Sequence, residues 1–504
     1  MVLSDLQNPF VSVAPDVVTQ TLVKPGHFVS WLSRLEEYFQ ITFRRPPISM
    51  GDLMMTKRKK KEKKVKLLHV LQPNAAGIDI GATEIYIAVP EDRAQESIRS
   101  FGTFTEDLHE AAQWLTSCNI DSIAMESTGV YWIPVFQVLE SYGFDVILVN
   151  ARHVKNVPGR KTDVQDCQWL QYLHSVGLLR GSFRPAQDIC AIRSLLRHRD
   201  TMVKSAASHV QHIQKALTQM NFQIHNVISD IVGVTGLSII DAIVAGERDR
   251  EKLANLTDPR IRADRKTILK SLEGDLRPEH LFTLKQALSS YRHYQRMIRD
   301  CDLEIEIHLN AVDSDIDVDD KSIPPSSRSK SKAKNDGSIF DLRSHLYRLF
   351  GTDLTLIDGI STLTSQVLYT EIGPDLSMFP TANHFCSWLG LSPQNKISGG
   401  KILSSRTRPG SNRASQALRL SAHTLWRSKS YLGDYYRRMR TRLGAPKAIT
   451  ATAHKLARII YHLIKNRKPF DETIFAEQER KHQERMKKRF IKRAKSFGLQ
   501  LVDA

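Results

Sequence analysis

The sequence predicts an α/β domain followed by an all-α region. Three observations carry that expectation. Over residues 75–187 short strand-like runs alternate with helical ones, the pattern of a sheet covered by helices. Over 188–218 apolar residues recur at steps of three and four, the seam of a long helix packed on a partner. From 339 to about 470 the periodicity stays helical.

Residues 1–74 are read as an extension and basic arm, expected to be disordered, because "TKRKKKEKKVK" is a dense cationic run. The methionines just before that run make Met54 or Met55 the expected natural start. "AAGIDIGATEIYIAVP" then alternates like a strand and turns near Gly81, as a hairpin would. "LHEAAQWLTSC" reads as a helix, "DSIAMES" as a short strand and "YWIPVFQVLESYG" as a helix ending at Gly143. "FDVILVN" reads as a buried strand and "DVQDCQWLQYLHSVG" as the next helix. The seam from Ile189 to Leu217 is broken once, by Arg199. It predicts a coiled coil or a long helical hairpin, with an antiparallel mate around 278–310 through Leu281, Leu284, Leu288, Tyr291 and Ile298. Residues 313–338 are polar, rich in Pro and Ser, and read as a flexible linker; 471–504 read as a basic tail.

A net charge of +18 over 504 residues favours a polyanionic partner, most often nucleic acid. No apolar run approaches the ~20 residues of a membrane span, and no secretory signal is read at the start, so no membrane is expected among the partners. Five scattered cysteines without CxxC pairs read as reduced thiols of a cytosolic protein.

Carboxylates in such a chain stand out. Asp79 interrupts the first apolar strand, and Glu126 ends the strand "SIAMES". Asp163 and Asp166 lie three apart, on one face of a helix start. Acids there complement the helix dipole, but four carboxylates from two strands and one helix also suit Mg2+ or Mn2+, which take oxygen ligands and clamp a phosphodiester. Arg152, His153, Lys155, Arg160 and Lys161 precede the pair and are expected to hold a nucleic-acid backbone. Further on, "SPQNKISGGKILSSRTRPGSNRASQALRL" reads as a loop that sets Ser398 before two glycines and follows it with Lys401, Arg406, Arg408 and Arg413, suited to phosphate contact, and then a helix. A serine nucleophile needs a base or a metal to activate it. On the residues alone, Ser392, Ser404 and Ser405 compete with Ser398.

"GIDIG", "AMESTGVYWIPVFQVLESYGFDVILVNARHVKNVPGRKTDVQDCQWLQ" and "FCSWLGLSPQNKISGGK", in that order over about residues 75–470, resemble the DEDD-type insertion-sequence transposases, the bridge-RNA-guided recombinases of the IS-one-ten kind. The resemblance implies a RuvC-like (RNase H-type) domain at 75–187, a coiled-coil region at 188–312 and a helical transposase domain at 339–470. It implies that Asp79, Glu126, Asp163 and Asp166 are the metal-binding set and that Ser398 is the nucleophile, forming a covalent phosphoserine–DNA intermediate. Donor and target DNA, an element-encoded guide RNA and a second or further copies of the chain (dimer or tetramer) are the implied partners, in the cytoplasm at the nucleoid. The family's Pro-Gly-Ile-Gly turn, a DNA-backbone contact, reads here as Asp358-Gly359-Ile360-Ser361, which makes Gly359 the corresponding contact. Two other classes fit less of the sequence. "DIGAT" resembles the first phosphate loop of actin-like and sugar-kinase ATPases, without their later Gly-rich loop, and a non-catalytic nucleic-acid binder would leave the carboxylates structural.

Overall fold

The computed structural model describes residues 69–127, 129–150, 163–314, 316, 323, 339–410 and 412–498. The expected start site, the arm up to residue 68, most of the linker, and Arg152, His153, Lys155, Arg160 and Lys161 lie outside them.

Strands β1 (Ala75–Ile80), β2 (Glu84–Ala88) and β3 (Ile98–Gly102) run antiparallel in succession. Helix α1 (Thr105–Ser117) leads to β4 (Ser122–Glu126), and α2 (Trp132–Ser141) to β5 (Asp145–Val149). Strands β4 and β5 are parallel to β1 and to each other, giving a five-stranded sheet in the order β3-β2-β1-β4-β5. This central sheet is consistent with an RNase H-like domain. Period-two alternation sorts its faces. Ile78, Ile80, Ile123 and Met125 share a core with α1 and α2, through Leu108, Leu115, Val135 and Phe136. The other face takes α3 (Asp163–Ser175), where Val149 packs on Leu170 and Leu173. β5, expected as a buried strand, is an edge strand whose first residue is exposed.

The region that follows is mostly helical. Helix α4 (Gln187–Gln219) leads through α5 (Val234–Ala245), α6 (Arg250–Ala254) and α7 (Arg265–Ser271) to α8 (Pro278–Ala311). α4 and α8 form a long antiparallel pair. Ile189, Ile192 and Leu196 share a core with Ile305 and Leu309 at one end, while Ile213 and Leu217 meet Leu284 and Leu288, with α5 to α7, at the other. Arg199, the break in the seam, is buried between these ends against Asp302, with Nε to Oδ1 2.6 Å and a second bond of 3.1 Å. The two-pronged bond satisfies both charges where water cannot.

The first of those cores continues into the C-terminal helices α9 (Leu342–Phe350), α10 (Thr362–Ile372) and α11 (Ala382–Trp388). A two-stranded hairpin, β6 (Lys396–Ser398) and β7 (Lys401–Ser404), precedes α12 (Arg413–Thr424), α13 (Tyr431–Leu443) and α14 (Ala445–Asn466). Much of the basic tail is a helix, α15 (Ala476–Ser496), supported by the i,i+4 pairs Glu477–Lys481 and Arg480–Glu484. Among the described residues no helix is long and apolar enough to cross a membrane.

Replacing Arg199 or Asp302 alone by alanine strands a buried charge and should cost about 3–5 kcal/mol. The double substitution Arg199→Met with Asp302→Leu should recover most of that loss, read as urea midpoints.

Candidate active site

A glycine decides how α3 meets the sheet. A Cβ on Gly77 would lie 2.3 Å from the Gln171 amide nitrogen and 2.4 Å from the Cys167 carbonyl oxygen, so the helix backbone rests directly on β1. Asp79, two residues on, projects from the same face. Met125 lies in the opposite core, so Glu126 also turns toward α3. The β1–β4 ladder pairs Ile78 with Met125, and its next step sets Asp79 level with Glu126 on strands ~4.8 Å apart.

The direction of α3 completes the arrangement. Near its end, His174 Nε2 is 2.8 Å from Ser122 Oγ at the start of β4. One turn earlier, Gln171 Nε2 donates to the Ala75 carbonyl (3.2 Å), and Cys167 lies over Gly77. α3 therefore runs against the strands, and its N-terminus, opened by Asp163, reaches the carboxyl ends of β1 and β4. Open α/β sheets commonly bind ligands at that edge. The thiol of Cys167 reports the charge gathered there. Burial first, then the carboxylates of Asp79 and Asp166, push its pKa up to about 12, against backbone bonds that lower it. It stays a neutral packing group.

Asp79, Glu126 and Asp166 thus converge at one edge of the sheet, each half-buried. Asp163 is in position at the first residue of α3, though its side chain is not among those described. Among the described residues no group of three His, Cys, Asp or Glu side chains is close enough to hold a metal ion. The donor set is of the kind a hard divalent cation takes: carboxylate oxygens, with a helix N-terminus beside them.

Ser398 is elsewhere. It ends β6 and is exposed, next to Gly399 (φ 53°) and Gly400 (φ 76°). Positive φ at both central residues is the tight two-residue turn of a hairpin, and a Gly-Gly pair adopts it without strain. The stretch read as a loop is therefore a protruding ribbon, on which Ile397, Ile402 and Leu403 are 62–71% exposed. Lys401, Arg406 and Arg408 are exposed beside it. Arg413 is engaged differently. It pairs with Asp200 of α4, and its Nε is 3.7 Å from Glu371 of α10. Glu371 also accepts two bonds from Arg197 (2.9 and 3.1 Å). Gly359 (φ 87°) turns against α12, where a Cβ would lie 2.8 Å from the Ser421 carbonyl oxygen.

Two segments of the chain match models of known families. Residues 76–222 match one described as a transposase, of the DEDD, IS110 type, and residues 352–437 match the transposase IS116/IS110/IS902 family. Both matched models are of the IS110 transposase type. A relative from Streptomyces coelicolor, the "Insertion element IS110 uncharacterized 43.6 kDa protein", is 37% identical over 90 residues. That stretch covers 18% of this chain and 22% of the relative, so the match spans about a fifth of the relative's length. The first matched segment holds nearly all of the sheet, its carboxylates and the whole of α4; the second holds the Ser398 hairpin. Sequence reasoning did not single out Gly77, Glu371 or His174. A glycine two residues before a strand aspartate is a signal of close backbone approach; the other two carry none.

Gly77→Ala should destabilise the sheet domain by about 1–3 kcal/mol through overpacking, read by urea unfolding. His174 is buried, which lowers its pKa despite the opposing charge of Asp145. As pH falls through ~6.5 the unfolded chain takes up the proton first, so stability present above that pH is progressively lost below it. The thermal midpoint should fall between pH 7.5 and 5.5, and His174→Gln should flatten that slope.

Proposed function

We propose that the chain is a DNA transposase that cuts and rejoins strands for an insertion sequence, through a RuvC-like carboxylate site and Ser398, guided by an element-encoded RNA. The observation that carries this reading is the convergence of Asp79, Glu126 and Asp166 beside the start of α3, within a chain of net charge +18. Asp79, Glu126, Asp163 and Asp166 would hold Mg2+ or Mn2+. A bound ion supplies positive charge to a phosphate oxygen.

In the proposed reaction Ser398 Oγ attacks the phosphorus of a DNA phosphodiester. The serine–phosphate bond forms as the bond to the leaving sugar oxygen breaks, and that oxygen ends as a hydroxyl. A DNA hydroxyl then attacks the phosphoserine and releases the serine, so the count of phosphoester bonds is unchanged throughout. Among the described residues no base is hydrogen-bonded to Ser398, and its hairpin belongs to the helical region. The working site is therefore composite, joining the hairpin to the carboxylates of the same or a second copy. The exposed Ile397, Ile402 and Leu403 support such docking, since a lone two-stranded ribbon is marginally stable in water. Lys401, Arg406 and Arg408 would contact the DNA backbone beside the serine, and Arg413 would position it by tying α12 to α4. Arg152, Lys155, Arg160, Lys161 and Gly359 are proposed as further backbone contacts. The excess positive charge supports an RNA partner as well as DNA.

Incubation with element-end DNA and Mg2+ should yield a denaturation-resistant protein–DNA adduct. Ser398→Ala should abolish it, while Ser404→Ala and Ser405→Ala retain it; the reverse pattern would reassign the nucleophile. Asp166→Asn should bind DNA to within about twofold, as expected for one altered charge away from the backbone contacts, yet form no adduct. Undiminished adduct in that variant would remove the carboxylate site from the mechanism.

A further inference from the structure

C-terminal to both matched segments, α14 and the turn at 468–475 enclose a cavity of about 600 Å³, within the ~300–1,000 Å³ usual for small-ligand sites. Its lining mixes two chemistries: the cations Lys455, Arg458 and Lys468, and the apolar Ile459, Phe470 and Ile474. Among the described residues no carboxylate lies within ion-pair distance of those three cations. Asp471, at the rim, is bonded to the amide and hydroxyl of Thr473 instead (2.7–2.8 Å).

Lys455 is held in place. Its ammonium donates to Tyr431 Oη (2.8 Å) and lies 4.5, 4.6 and 5.1 Å from the ring centres of Tyr431, Tyr435 and Phe475. Tyr431 and Phe475 stack at 4.5 Å and 3°, and the Tyr431 amide donates to Glu472 (2.8 Å), which fixes the turn. Rings stabilise the cation, yet burial, then Arg438 and Arg458, bring its pKa down to about 8. A bound anion would relieve that cationic crowding.

We infer that this cavity binds one unpaired nucleotide of a nucleic-acid strand, its base against Phe470 and Ile474 and its phosphate on Lys455, Arg458 and Lys468. Cations beside apolar and aromatic side chains in one cavity match a flat base carrying a phosphate, the combination used by single-strand binders. α15 begins directly after Phe475, and its Arg485, Lys487, Lys488 and Arg489 are exposed, extending the positive surface along which a strand would run. The inference rests on the nucleic-acid-acting reading only for the source of the strand.

The test uses the full chain and a fluorescent oligothymidylate of about a dozen nucleotides, set against the same strand with abasic sites, which keeps its charge. Wild type should prefer the base-bearing strand by about tenfold, the scale of one stacked base. Phe470→Ala and Ile474→Asp should erase that preference, and Arg458→Gln should weaken the base-bearing strand more than the abasic one. Ile474 and Arg458 are exposed, so their variants keep the fold even if Phe470→Ala does not. Equal binding of both strands by wild type, or a preference surviving Ile474→Asp, overturns the inference. Adduct formation in the same preparations separates the two ideas: adduct without base preference sinks only this one, and base preference without adduct sinks only the strand-transfer reading.

Discussion

The contact that the candidate site depends on is the one between Gly77 and the backbone of α3. Helices normally stand off a sheet on their side chains. Here the missing side chain lets the main chain of Cys167 and Gln171 settle onto β1. Because α3 runs against the strands, lowering it at that point delivers its first turn to Asp79 and Glu126. Ser122–His174 and Gln171–Ala75 fasten the other end, so the helix has little freedom to slide or lift. The like charges gathered there repel, and the close packing of α3 on β1 works against that repulsion.

The second assembly is ionic. Glu371 draws Arg197 of α4 and Arg413 of α12 toward α10, with Arg193 at 4.0 Å. Burial lowers the pKa of Arg193 even though Glu371 opposes the shift, so this is a compact, partly dry cluster. It anchors the base of α12 and thereby the chain that leaves the Ser398 hairpin. One end of that segment is firmly tied while the ribbon itself stands in water.

The sequence made the sheet legible where burial wrote a clear pattern. β1 and β4 are short, nearly continuous buried runs, and the acids were found because they interrupt or end those runs. β3 was not read because only Phe101 of "IRSFG" is buried, the other residues being partly or fully exposed. β5 looked like a buried strand because the residues that touch α3 are apolar, although it lies at an edge. The hairpin was taken for a loop since "KIS" and "KILS" are too short and too exposed to show a period. Arg199 was visible as an interruption, but Asp302 lies 103 residues away. No local pattern carries a pairing of that kind, and the same holds for Ser122 with His174.

That buried pair has a mechanical meaning. Apolar seams are forgiving: leucine slides past leucine with little change in area, so two long helices could settle a heptad out of step. With Arg199 opposite Asp302, such a slip of ~10.5 Å would leave an ion facing hydrocarbon on each helix, at a cost of several kcal/mol. Only one alignment is then open. The 25 residue steps of α4 from Ile192, in one core, to Leu217, in the other, span ~38 Å, and their mate is clamped to match. The helical arm is thus a ruler with a single graduation, and the spacing between its two ends is set by one guanidinium and one carboxylate.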